Sequence, residues 1–115
     1  MNAKIYHNPR CSKSRQTLQL LEEQNVDIDV IEYLQNPPDV ATLENILIQL
    51  GIEPRQLMRH KEPEYQALGL DNPTLDRAAL LEAMVRTPKL IERPIVITDK
   101  GIAIGRPPEN ILKVL

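Results

Sequence analysis

The sequence predicts an α/β protein in which a βαβ unit and a later ββα unit share one mixed four-stranded sheet. Three observations predict it. A short β-type run at residues 4–7 (Lys-Ile-Tyr-His) stops at Asn8-Pro9 and gives way to helix formers. Residues 26–33 alternate as Val-Asp-Ile-Asp-Val-Ile-Glu-Tyr, the period of two expected of a strand. Two β-type runs, 95–98 and 102–104, flank Asp99-Lys100-Gly101, a tight hairpin turn.

Residues 14–24 are helix-forming and carry Leu18, Leu20 and Leu21. Residues 3–33 therefore read strand, helix, strand, with the strands parallel and the crossover right-handed. Asn36-Pro37-Pro38 ends the second strand, and Asp39 is placed to cap a helix on which Val40, Leu43, Ile46, Leu47 and Leu50 share one face before Gly51 closes it. Pro54 and Pro63 allow only short helices near 55–59 and 62–68, and Asn72-Pro73 marks a turn. Leu75, Ala79, Leu80, Met84 and Val85 then recur at helical spacing, with Pro88 beyond them. After the hairpin, Arg106-Pro107-Pro108 opens a last amphipathic segment carrying Ile111, Leu112 and Leu115; proline at a first helical position forfeits no hydrogen bond. Residues 1–115 are expected to form a single domain with a helical insertion at about 39–88.

Composition narrows the function. Hydrophobic types make up 42% of the 115 residues but aromatics only 3%, namely Tyr6, Tyr33 and Tyr65, so aliphatic side chains must build the core. A net charge of −2 argues against nucleic acid or an anionic membrane as partner. The apolar runs are far shorter than the roughly 18 residues needed to cross a bilayer, no signal-type segment opens the chain, and a lone thiol suits a reducing compartment. The expected location is the cytoplasm. Charge is nevertheless uneven: residues 1–21 contain Lys4, Arg10, Lys13 and Arg15 and no acid, giving +4 against −6 for the remainder.

The lone Cys11 lies in that positive stretch, between the first strand and the first helix. Helix dipole and unpaired amides there favour a thiolate, and Arg10, Lys13 and Arg15 are expected to lower its pKa further. A buried inert cysteine would suit apolar flanks; Pro9-Arg10-Cys11-Ser12-Lys13-Ser14-Arg15 is polar and basic. Cys11 to Ser14 reads C-x-x-S, a dithiol motif whose second cysteine is serine, so an adduct on Cys11 needs an outside thiol, glutathione or a glutaredoxin, to resolve it. Cys11 to Arg15 is C-x3-R, shorter than the phosphate loop of a tyrosine phosphatase. His7, Asn8, Ser14 and Arg15 are expected to orient the loop or tune the sulfur. Arg93-Pro94 and Arg106-Pro107 each hold an arginine in extended backbone at an element boundary, where two planar guanidiniums can converge on a tetrahedral oxyanion. With His60 the only other histidine, and neither a Walker A nor a G-x-G-x-x-G pattern, no metal, nucleotide or other tightly bound cofactor is expected.

Tyr6 to Arg15 resembles the opening Tyr-His-Asn-Pro-x-Cys-x-x-Ser-Arg of the glutaredoxin-dependent arsenate reductase family. The resemblance continues through Tyr33-Leu34, Pro37-Pro38, Arg55 to Arg59, Glu62 to Leu70, Arg93-Pro94-Ile95-Val96 and Gly105-Arg106-Pro107, covering nearly the whole chain in order. It implies a thioredoxin-like fold with a helical insertion, Cys11 as nucleophile, Arg59, Arg93 and Arg106 as an oxyanion clamp, and a cis bond before Pro94. The implied reaction reduces arsenate, or a similar oxyanion, to arsenite with glutathione as co-substrate and glutaredoxin as partner. Arg10 stands where better-known members carry a small residue, and the extended tail of some members is absent. Two other readings use the same fold: a redox-sensing or RNA polymerase-binding regulator, though such regulators often carry C-x-x-C, and a glutathione-linked reductase of another small oxidant.

Overall fold

The computed structural model describes residues 1–115, which divide into two compact units: 1–36 with 93–115, and 37–92. The first unit holds a four-stranded sheet in the order β2-β1-β3-β4, built from β1 (Asn2–His7), β2 (Asp27–Glu32), β3 (Ile95–Thr98) and β4 (Gly101–Ile104). Its first helix, α1 (Ser12–Glu23), connects β1 to β2, which pair in parallel from Asn2↔Asp27 to His7↔Glu32. Both pairings of β3, with β1 and with β4, are antiparallel, so the sheet is mixed as the sequence predicts.

β1 is a central strand, and its residues show it: Ala3, Ile5, Tyr6 and His7 are all buried. β2 lies at an edge, and its exposed Asp27, Asp29 and Glu32 discourage pairing with another chain. Ala3, Ile5, Leu21, Val96, Ala103, Ile111 and Val114 pack into one core, with Leu18, Leu20, Val26, Ile28 and Leu115 against it. Burying each large aliphatic side chain here is worth about 1.5–3 kcal/mol.

Two details of this unit differ from the expected pattern. The stripe that α1 buries completely is Ser14, Thr17 and Leu21, so its first two turns present hydroxyls where leucines set the expectation. Both hydroxyls are hydrogen-bonded: that of Thr17 donates to the Lys13 carbonyl at 2.8 Å. The last segment, Pro108–Val114, is a 3-10 helix. Three residues per turn place Pro108, Ile111 and Val114 on the inner face and leave Leu112 44% exposed, so the α-helical spacing of Ile111, Leu112 and Leu115 does not apply.

In the second unit, α2 (Val40–Leu50) starts at Asp39, whose carboxylate accepts the Thr42 amide at 2.8 Å, and ends at Gly51 in the left-handed region (φ 67°). Leu43, Ile46 and Leu47 are its buried residues, while Val40 is half-exposed in the first turn. A 3-10 turn (Pro54–Leu57), α3 (Pro63–Ala67), α4 (Arg77–Arg86) and a 3-10 turn (Pro88–Leu90) follow. α4 starts two residues later than the apolar spacing predicts, because Asp76 caps it through the Ala79 amide at 2.8 Å. Met58 and Ile91 form an isolated antiparallel bridge that joins the ends of this segment's later half.

Gly105 follows β4 with almost no free space around it. A Cβ there would collide with the Thr17 hydroxyl and stand 2.8 Å from Cγ of Pro94. Gly105→Ala is therefore expected to destabilise the protein by about 1–3 kcal/mol through overpacking, read as a lower urea midpoint with an unchanged slope.

Candidate active site

Residues 8–11 turn tightly from β1 into α1. The Cys11 amide donates to the Asn8 carbonyl at 3.0 Å, and the Arg10 amide to the Asn8 side-chain oxygen, also at 3.0 Å. Cys11 itself is extended (φ −93°, ψ 124°) and is the N-cap residue of α1, its carbonyl accepting the Arg15 amide at 3.0 Å. Ser14, completely buried one turn on, accepts the Asn8 amide at 3.0 Å and lies 2.6 Å from Nδ1 of His7. The Ser14 oxygen thus pairs with the Asn8 amide and with the His7 ring at the same time. Burial pushes the His7 pKa below 6.5; Glu32 opposes that shift and Arg15 reinforces it.

The Cys11 thiol is held below its ordinary pKa of 9.0. Partial burial works against the charged form and is overcome by the Ser14 amide, the charge of Arg93, the Lys13 amide and a hydrogen bond from Arg93. No side-chain hydrogen bond of good geometry caps α1, so these amides act on the sulfur mainly as aimed dipoles. Here the expectation is corrected. The cation that lowers the thiol pKa is Arg93, whereas Lys13 contributes through its backbone and Arg15 donates to the Pro9 carbonyl at 2.9 Å. Proximity in sequence placed the local cations in the loop, but their side chains point outward and are exposed.

Arg93 and Arg106 do converge. Nη1 of Arg106 lies 4.0 Å from the Cys11 sulfur and donates to the Arg93 carbonyl at 3.3 Å. The Gly105 amide donates to the Pro94 carbonyl at 2.9 Å and closes the open end of the β3–β4 hairpin between them. The bond before Pro94 is cis, as the resemblance implies, and so is the bond before Pro107, which nothing in the sequence reading singled out. Arg59 belongs to the second unit, where it forms an ion pair with Glu62 at 2.6 Å and its amide donates to the Leu90 carbonyl at 2.7 Å. His60, on the same unit, sits 2.7 Å from the Arg55 carbonyl and stacks on Tyr65 at 4.3 Å. No group of three or more His, Cys, Asp or Glu side chains is arranged to hold a metal ion, and no helix is long and apolar enough to cross a membrane.

The unpaired amides expected at the start of α1 do favour the thiolate, though no particular one was singled out. Ser14 was expected to orient the loop or tune the sulfur; its hydroxyl bonds His7 and the Asn8 amide, and its amide is first among the groups that favour the thiolate. The signal was available in the N-cap position of Cys11, which aims the amides of the first turn at its side chain.

The ArsC family model matches residues 6–114. The chain is 52% identical to the arsenate reductase of Neisseria meningitidis serogroup A, over 97% of each chain. It is also 52% identical to YfgD of Escherichia coli K12, named an uncharacterized protein, over 97% of this chain and 95% of that one. The structure titled arsenate reductase from Vibrio cholerae superposes with a TM-score of 0.96 at 49% identity, covering 100% of this chain and 98% of that chain.

Two measurements check the electrostatics. The pH midpoint of Cys11 alkylation by iodoacetamide is expected below 9.0, and Arg93→Ala is expected to raise it, because the removed charge favours only the thiolate. For His7 the folded pKa lies below the unfolded one, so the unfolded chain binds more protons between the two values. Its contribution to stability is complete above about 6.5 and lost as pH falls through the folded value. His7→Gln should therefore flatten the dependence of the urea midpoint on pH below 6.5.

Proposed function

The chain belongs to the ArsC family and has its thioredoxin-like fold, and from that membership we propose that it reduces arsenate to arsenite through an adduct on Cys11 that glutathione and glutaredoxin resolve. The names of its close relatives support the reaction class. The observation that carries the residue assignment is a sulfur held below its ordinary pKa with the guanidiniums of Arg93 and Arg106 beside it.

Arsenate binds with its oxygens on the Arg93 and Arg106 guanidiniums, which offset its charge and orient arsenic toward the sulfur. The Cys11 thiolate attacks arsenic; an S–As bond forms as one As–O bond breaks, and the departing oxygen is protonated to water. Charge developing on the remaining oxygens falls on the two arginines, so they stabilise the transition state more than the free anion. A glutathione thiolate then attacks the Cys11 sulfur. The new S–S bond displaces arsenic, which keeps the electron pair of the S–As bond and leaves as arsenite. Glutaredoxin takes the glutathione from the mixed disulfide and restores the Cys11 thiolate, and a second glutathione reduces glutaredoxin. The sum is arsenate and two glutathiones giving arsenite, glutathione disulfide and water. An outside thiol is required because Cys11 is the only cysteine and Ser14 occupies the position a resolving thiol would need. The family resemblance adds Arg59 as a third anion-binding arginine, which must then exchange its Glu62 partner for an arsenate oxygen.

A coupled assay tests this reading: arsenate, glutathione, glutaredoxin and a glutathione-recycling system, with NADPH loss and arsenite formation followed together. Cys11→Ser is expected to abolish turnover. Arg106→Ala and Arg59→Ala are expected to raise KM for arsenate by about tenfold to a hundredfold, the range for a lost charge-assisted hydrogen bond. Full turnover by the serine variant, or no arsenate-dependent arsenite from the wild-type protein, would refute the proposal.

A further inference from the structure

The cations around the thiol fall into two sets. Arg93 and Arg106 face the sulfur. Arg10 and Lys13, on either side of it in sequence, are exposed, and their side chains make no hydrogen bond or ion pair with the protein. Arg15 reinforces the same patch while its guanidinium is held by the Pro9 carbonyl. This contrasts with the second unit, where Arg59, Arg77, Arg86 and Lys89 all meet carboxylates within 3.3 Å.

The local chemistry opposes such a patch. Lys13 and Arg15 occupy the first turn of α1, where the macrodipole favours acids, and no acid accompanies them. They also repel Arg10 across the loop. Nor does the thiol need these charges, since the Ser14 and Lys13 amides together with Arg93 already lower its pKa. Exposed cations set beside a reactive sulfur against the preference of the helix start suit an anion larger than one that fits between Arg93 and Arg106.

We propose that Arg10 and Lys13 form a docking subsite for the carboxylates of glutathione, holding its sulfur in line with Cys11. The inference deepens the glutathione step proposed above and rests on it. Glutathione carries a carboxylate at each end of a flexible peptide with its thiol between them, and as the attacking thiolate it has a net charge of −2. Arsenate is small enough to be served by Arg93 and Arg106. The second substrate arrives when that inner space is filled by the adduct, so the cations that attract it must stand farther out.

The test needs no arsenate. Cys11 thiolate attacks glutathione disulfide to give the Cys11–glutathione mixed disulfide and one glutathione thiolate; the same attack on bis(2-hydroxyethyl) disulfide involves no charged groups. The ratio of the two rates, measured at low ionic strength with the pH set so that Cys11 is fully ionised in every variant, isolates charge recognition from thiol reactivity. In Arg10→Ala/Lys13→Ala the ratio is expected to fall about threefold to tenfold, as suits two exposed charge pairs, and Arg10→Lys/Lys13→Arg should keep it. The wild-type preference should also shrink as salt is raised. An unchanged ratio, equal slowing with both disulfides, or no reaction of Cys11 with either would overturn the subsite. So would a defect confined to transfer from the mixed disulfide to glutaredoxin, which would make the patch a protein-docking surface. Failure of arsenate turnover in the coupled assay, with the disulfide ratio behaving as expected, would instead discard the arsenate reading and leave this subsite standing.

Discussion

One buried hydroxyl holds the reactive loop in shape. Ser14 lies on the first turn of α1 yet reaches back to His7 at the end of β1 and to the Asn8 amide that begins the loop. A strand end, a turn and a helix start are thereby fixed to a single atom with no access to water. Leaving any of these groups unpaired in the interior would cost about 1–3 kcal/mol, so the two contacts enforce one another. The direction of the Ser14 amide, and with it the state of the Cys11 sulfur, follows from this tie.

The sulfur itself sits where opposing effects nearly balance. Partial burial alone would raise its pKa and make it inert; the amides of Ser14 and Lys13 and the charge of Arg93 reverse the sign. That division of labour suits the proposed nucleophile, which would alternate between ionised, arsenic-bound and disulfide-bound states. Amide dipoles are part of the backbone and stay in place whatever the sulfur carries, while a guanidinium can shift its donors from sulfur to substrate oxygen. In the proposed mechanism Arg93 serves the thiolate before the anion binds and the anion afterward.

Much of this was legible in the chain. Asp39 and Gly51 bound α2 as their cap chemistry predicts, the alternation at 26–33 becomes β2, and the β-type runs around Asp99-Lys100 pair as a hairpin. Asp76 carried the same cap signal as Asp39 but was hidden by Leu75, whose apolar spacing suggested an earlier start. The final segment was misread because its buried positions recur every three residues, a period that only the packed 3-10 helix reveals. At the site, the lowered pKa of Cys11 was readable from its place at the helix start, but the identity of the helpful cation was not. Local sequence brings Arg10, Lys13 and Arg15 near, whereas the sheet brings Arg93 from the far end of the chain and delivers it closer to the sulfur.

The closed mouth of the hairpin has a geometric consequence. Arg93 and Arg106 leave from the two rails of one antiparallel ribbon just beyond the Ile95↔Ile104 pair, and the Gly105 amide on the Pro94 carbonyl prevents the rails from splaying. Their separation at the backbone is thus constrained by the strand pair that ends at Ile95 and Ile104. Such a gauge is set by peptide geometry, which side-chain substitution cannot widen. The ribbon end thereby fixes where the two arginines leave the backbone, whatever their side chains then hold.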